Sequence, residues 1–287
     1  MTEAMAEPTF TTFDVSSRHG RQVAARVSGS GKPVVLLNGL SRPMASWSAF
    51  TPVLDERMVV SFDAPGVGAS KTPALPLSMQ ALADIVADVL EAVDVERADI
   101  VGFSHGGAIA QQFAFSWPGR VRRLALLSTS CGNGATPGSG KKLWDNLIGA
   151  HNARHWGRAH TIGALWQVAA VAGWSSIPFL GSIAAPTLVV SGEHDRIVPP
   201  TNSQLLAARI PNAMLSVVPA GHDLQRPDVA DSVARRVLRF LDGPVPKNMA
   251  AEDDTGLSPC LLARKIARND LKEFSCPRYI STNALPS

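Results

Sequence analysis

The hexapeptide Gly102-Phe103-Ser104-His105-Gly106-Gly107 sets a serine between glycines two residues before and two after it. An apolar run at residues 98–103 has the composition of a buried strand, and the Ala-rich segment through residue 115 has that of a helix. A chain that passes from strand to helix within one residue brings the two so close that side chains at the flanking positions collide. Glycine is the residue without one. The serine is then pushed out at the carboxyl end of a sheet, beside the next residue's N–H. Nucleophilic attack is the chemistry open to it. An unaided serine hydroxyl stays protonated near neutral pH, so it needs a base, and the base needs an acid to orient it.

Candidates for both lie late in the chain. An apolar run at 186–191 ends in Gly192-Glu193-His194-Asp195, which offers Glu193 and Asp195 as acids at a strand end. A single histidine follows them, His222, on the loop leaving the apolar run 214–218. Asp195 is the preferred acid and Glu193 the alternative, while His194 faces the other way along the strand end. Asp223 adjoins His222, but sequence neighbours rarely align ring and carboxylate, so it is read as structural. Negative charge developing on the attacked oxygen requires backbone N–H donors. These are assigned to His105, directly after the serine, and to Leu40, on the loop after residues 34–37. The ring of His105 either lines an acyl pocket or packs, and is given no catalytic role.

Short alternating runs at 10–15 and 22–28 predict a hairpin. Buried strands are predicted at 34–37, 58–62, 98–103 and 122–127, a short helix from 47 to 54, and a helix over 78–93 with one apolar face. After a break, strand 186–191, helix 201–210, strand 214–218 and helix 229–241 follow, with Arg235, Arg236 and Arg239 on the wet face of the last helix. Strands alternating with helices mean crossovers, hence an α/β fold with a mostly parallel central sheet flanked by helices. The expected core is 10–130 with 184–242, and residues 131–183, inserted after the sixth strand, form a short helical lid. That insertion carries Trp144, Trp156, Trp166 and Trp174, which either meet substrate or glue the insertion to the core. Residues 243–287, punctuated by prolines, are expected to be a poorly ordered appendage, from which no function is read.

Composition narrows the functional classes. A net charge of +3 over 287 residues, without a long Lys or Arg run, argues against a nucleic-acid partner. Three cysteines without metal-like spacing (Cys131, Cys260, Cys276) read as reduced thiols of a cytoplasmic protein, and residues 1–12 lack the pattern of a secretory signal. Residues 161–192 carry no charge but are broken by Gly163, Gly173, Pro178, Gly181 and Pro186, which suits helix, loop and strand better than one membrane-spanning helix. No metal and no cofactor are called for.

The turn Phe62-Asp63-Ala64-Pro65-Gly66-Val67-Gly68, the stretch 102–107, the stretch 192–199 and Gly221-His222 together resemble the α/β-hydrolase superfamily. Within it, the chain is similar to the intracellular medium-chain-length poly(3-hydroxyalkanoate) depolymerases. That similarity rests on Leu37-Asn38-Gly39, on residues 106–114, on Trp174-Ser175-Ser176-Ile177 and on Arg209-Ile210-Pro211-Asn212-Ala213. The resemblance covers about residues 10–241 and implies the chain order Ser104, Asp195, His222 for nucleophile, acid and base. It implies a serine ester hydrolase acting on 3-hydroxyalkanoate polyester or oligomers, with association with storage granules. Substrate contacts are expected from Asn38, Trp144 and Trp166. A small-ester carboxylesterase or lactonase is the alternative, and a ligand-binding protein with slow turnover another. Family members usually carry an aromatic residue where this chain has His105, and their insertion looks longer between residues 140 and 161.

Overall fold

The computed structural model describes residues 10–148 and 158–244. All but the first two residues of the expected appendage therefore lie outside the described residues, as do Trp156, Cys260 and Cys276. The strands are β1 (Thr11–Ser16), β2 (Gln22–Ser28), β3 (Pro33–Leu37), β4 (Met58–Phe62), β5 (Ala98–Phe103), β6 (Val121–Leu127), β7 (Thr187–Gly192) and β8 (Ala213–Val218). They form one sheet in the order β1-β2-β4-β3-β5-β6-β7-β8. β2 is antiparallel to both of its neighbours and every other pair is parallel. Strands β3 and β5 are buried almost throughout because both faces of the sheet are covered, which is why their sequences read as continuous apolar runs.

The helices are α1 (Met79–Ala92), α2 (His105–Ser116), α3 (Gly140–Ile148), α4 (Arg158–Ala172), α5 (Pro200–Arg209) and α6 (Pro227–Asp242). One core lies between α1, α2 and α5 and the sheet, joined by Val35, Leu37 and Ile100. On the opposite face Val34, Leu36, Val101 and Phe103 meet Trp47, Phe50 and the inner side of α6. Alternate residues of one strand thus serve two cores, as the period of two requires. Ser78 caps α1, its side chain accepting from Ala81 N–H at 3.1 Å.

Two expectations need correction. The helix predicted over 47–54 is instead two 3₁₀ turns, Met44–Trp47 and Thr51–Leu54. Pro43 precedes the first turn and Pro52 sits at the start of the second, and each lacks the N–H that a continuous helix would use. Nor is Arg236 simply on a wet face: its guanidinium donates to Ser216 Oγ of β8 at 2.9 Å, pinning α6 to the sheet.

The site edge follows from the strand order. β3 leads to the turns on one face, whereas β5 leads to α2 on the other, so the connections leaving these adjacent strands diverge. Such a point leaves a crevice at the carboxyl ends of the strands.

Candidate active site

Ser104 occupies the bend between β5 and α2 with φ 51° and ψ −115°, a conformation that costs a residue with a side chain about 1–2 kcal/mol. The surroundings hold it there. Ser104 N–H donates to the Leu127 carbonyl at 2.8 Å, and its own carbonyl accepts from Thr129 Oγ1 at 2.7 Å. The flanking glycines are demanded by close approach: a Cβ on Gly102 would sit 2.5 Å from the Gly106 carbonyl oxygen, and one on Gly106 would sit 2.2 Å from that of Leu37. The steric reading of the motif is thus visible atom by atom.

The loops after β7 and β8 are bound to each other. Glu193 N–H donates to the Val218 carbonyl at 2.8 Å and His194 N–H to that of Ala220 at 2.9 Å. A Cβ on Gly192 would lie 2.2 Å from the Gly221 carbonyl oxygen, so no other residue allows that approach. This brings Asp195 to His222. Asp195 is buried, and its Oδ1 accepts from the Ile197 and Val198 amides at 2.9 and 2.8 Å. Its Oδ2 lies 2.8 Å from His222 Nδ1, and His222 Nε2 lies 3.1 Å from Ser104 Oγ. A carboxylate only accepts, so the imidazole proton resides on Nδ1 and the Nε2 lone pair faces the serine hydroxyl. Glu193 and His194 are exposed and take no part in this line.

The other expected residues are distributed unevenly. The Leu40 amide lies on the loop after β3, next to Gly39, where an added Cβ would be 3.5 Å from that of Ser104, and the His105 amide opens α2; neither donates to a backbone carbonyl in the turns and loops among the described residues. The Asn38 side chain braces its own loop: its amide donates to the Pro43 carbonyl at 2.5 Å, and its Oδ1 accepts from Gln225 Nε2 at 2.8 Å. Trp166 donates its indole N–H to the Pro73 carbonyl at 2.9 Å, fastening α4 to the loop after β4 beside Leu77 and Leu82. Trp144 falls in α3, and its side chain lies outside the described residues. Asp223 is structural: Arg42 grips both of its oxygens at 2.9 and 2.7 Å and also donates to Gln225 Oε1 at 3.0 Å.

Three residues of the site surroundings carry no recognisable sequence signal as a group. Ser41, another non-glycine residue with positive φ (59°), donates its N–H to Gln167 Oε1 of α4 at 2.8 Å. The His105 ring is buried against the Gln167 main chain, and burial pushes it down to about 4, so the imidazole is neutral near pH 7. One ring nitrogen meets the Gln167 main chain in a hydrogen bond, and the other has no hydrogen-bond partner among the described residues.

Comparison with known proteins follows this geometry. Residues 34–236 match the family model described as "Alpha/beta hydrolase family". Over 238 residues the chain is 34% identical to the poly(3-hydroxyalkanoate) depolymerase of Ectopseudomonas oleovorans, covering 73% of this chain and 84% of that protein. A hydrolase of Pseudomonas aeruginosa PA01 superposes with a TM-score of 0.68 at 26% identity, over 81% of this chain and 99% of the other. Est816, an N-acyl homoserine lactone degrading enzyme, superposes with a TM-score of 0.64 at 31% identity, over 78% of this chain and 99% of the other.

Proposed function

The chain belongs to the alpha/beta hydrolase family, and from that premise we propose that it cleaves carboxylic esters of 3-hydroxyalkanoates, as polyester or oligomers, through an acyl-enzyme on Ser104. The observation that carries this reading is the hydrogen-bonded line from Asp195 through His222 to Ser104, with separations of 2.8 and 3.1 Å. As Ser104 Oγ attacks the ester carbon, its proton passes to His222 Nε2. Asp195 holds the ring by Nδ1–H and stabilises the imidazolium. The oxyanion is held by the Leu40 and His105 amides. His222 then returns the proton to the departing alcohol and takes one from water, which releases the hydroxy acid and restores Ser104.

Residues 131–183 serve in this reading as a helical lid over the carboxyl edge. Support comes from α4, which meets two loops there at three points. Gly163 packs against Gly66 so closely that a Cβ would lie 2.1 Å from the Gly66 carbonyl oxygen, Trp166 holds Pro73, and Gln167 holds Ser41. Among the described residues no helix is long and apolar enough to cross a membrane. A polymer substrate would bring the protein to storage granules.

Turnover of p-nitrophenyl esters of increasing chain length, compared with Ser104→Ala, tests the nucleophile: the variant should lose about 10⁴- to 10⁶-fold. Equal activity in the two proteins overturns the assignment. Clearing of a medium-chain polyester suspension, with soluble hydroxy acids measured, tests the substrate. A small-lactone reading is favoured by the 31% identity with the N-acyl homoserine lactone degrading enzyme, and lactone hydrolysis without clearing would put it first.

A further inference from the structure

Beside Ser104 lies a cluster of polar groups that the proposed chemistry does not use. Ser41 is 7% exposed, His105 8% and Gln167 3%, and all come within reach of one another through the Ser41–Gln167 hydrogen bond and the packing of the His105 ring on Gln167. Each keeps a buried polar group without a hydrogen-bond partner: Ser41 Oγ, the His105 ring nitrogen that does not meet the Gln167 main chain, and Gln167 Nε2. Leaving a buried polar group unpaired forfeits its hydration without return. Groups from three separate elements, gathered at one point and left in that state, fit a site whose partner arrives with a ligand.

The chemistry of the partner follows from the donors and acceptors. Gln167 Nε2 can only donate. Ser41 Oγ donates or accepts, and the neutral His105 ring, its N–H turned to the Gln167 main chain, offers an acceptor. A lone carbonyl oxygen would leave the ring acceptor unpaired, whereas a hydroxyl answers both kinds of group. Position follows from the chain: His105 is the residue after the nucleophile, and Ser41 is the residue after Leu40. The backbones of the cluster thus adjoin both amides assigned to the oxyanion, and in this reading the side chains meet the first few carbons of the acyl chain.

We propose that Ser41, His105 and Gln167 form a hydroxyl-recognising subsite that selects acyl groups bearing a free hydroxyl on carbon 3, as at the hydroxyl end of an oligomer. The inference rests on the ester-hydrolase reading and names its specificity-determining residues. His105 is then a departure with a purpose: an aromatic hydrocarbon ring at that position would fill similar space without answering a hydroxyl. Gln167 has two roles, holding the Ser41 amide by its oxygen and presenting its nitrogen to the ligand.

The test compares p-nitrophenyl esters of octanoate, of each enantiomer of 3-hydroxyoctanoate, and of 8-hydroxyoctanoate. Turnover is measured with the parent protein and with His105→Phe and Gln167→Met. Binding of the corresponding ethyl esters to Ser104→Ala, alone and combined with each substitution, is measured by calorimetry. One 3-hydroxy enantiomer should exceed octanoate in kcat/KM by about 10- to 100-fold, with no gain for the 8-hydroxy ester. In each subsite variant that ratio should fall to near one, whatever happens to the absolute rates. A structural role alone would lower both esters together and keep the ratio, and that result overturns the proposal. So does a parent that does not discriminate. Binding separates this failure from that of the enzymatic reading. A binding preference without turnover of any ester overturns the hydrolase assignment and leaves the subsite standing, whereas turnover with no preference in either measurement does the reverse.

Discussion

Two groups of polar side chains, one partly and one fully buried, lie next to each other at the carboxyl edge of the sheet, and they are finished differently. In the line Asp195–His222–Ser104 every polar atom that faces the protein is partnered. Asp195 accepts from two amides and from the ring, and the ring in turn meets the hydroxyl. In the neighbouring group Ser41, His105 and Gln167 are buried, yet each retains an unpaired nitrogen or oxygen. The first arrangement sets protonation and orientation before any ligand enters, as acid–base chemistry requires. The second stays incomplete until something enters, as recognition requires. One edge of the sheet carries both, separated by a single peptide bond between Ser104 and His105.

The comparison breaks most severely at Asp195. Asp195→Asn cannot hold the Nδ1–H tautomer, and kcat on a p-nitrophenyl ester should fall about 10⁴-fold with the circular dichroism spectrum intact. A loss below tenfold would mean that something other than Asp195 orients His222.

Next in size is the bend itself. Gly106→Ala places a Cβ against the Leu37 backbone, where a flexible side chain cannot yield, and should cost about 3 kcal/mol in urea unfolding. Gly119→Ala, where a Cβ would meet nothing within 4 Å, is the control and should stay within about 0.5 kcal/mol of the parent.

His105 gives the unpaired group a pH signature. Its pKa is lowered from 6.5 in the unfolded chain to about 4 in the folded protein by burial. Between those values the unfolded state binds more protons, so the ring's contribution to stability is complete above pH 6.5 and is lost as the pH falls towards 4. From pH 6.5 to about pH 5 the loss should be about 2 kcal/mol. His105→Phe should remove that part of the slope in unfolding measured at both pH values. An identical slope in the two proteins would show that the ring is not held neutral.

The smallest effect belongs to the brace beneath the partnered line. Arg42→Ala should cost about 1 kcal/mol, since the Arg42–Asp223 pair is half-shielded and two-pronged. Because Asp223 adjoins His222, kcat should fall a few-fold more than KM changes. Removing both partners should cost less than the sum of the single substitutions, and strict additivity would show that the pair does not act as a unit.

Legibility in the sequence divides along the same boundary. Ser104 was readable because the elbow is a local steric problem with a local solution, glycine at 102 and 106. Strand positions were readable from apolar runs, and Asp195 and His222 from being an acid and a last histidine at strand ends. The 3₁₀ turns at 44–47 and 51–54 were missed because the pattern of apolar residues outweighed the prolines in the reading. The Asn38 side chain is engaged by Pro43 and Gln225, the latter nearly two hundred residues away in the chain. No spacing rule reports such a partner.

What the sequence by itself determined is the backbone path at the site: a bend that only glycines permit, and strands whose period of two buries both faces and brings their ends to one edge. What only the tertiary structure decided is which side chains meet across that edge. Arg42 with Asp223, and Ser41 with Gln167 and His105, join loops and helices far apart in the chain. The physical reason is range. Sterics and periodicity act over a few residues and leave their mark in the sequence, whereas pairing of buried polar groups depends on loop conformations that are settled only when the whole sheet has packed.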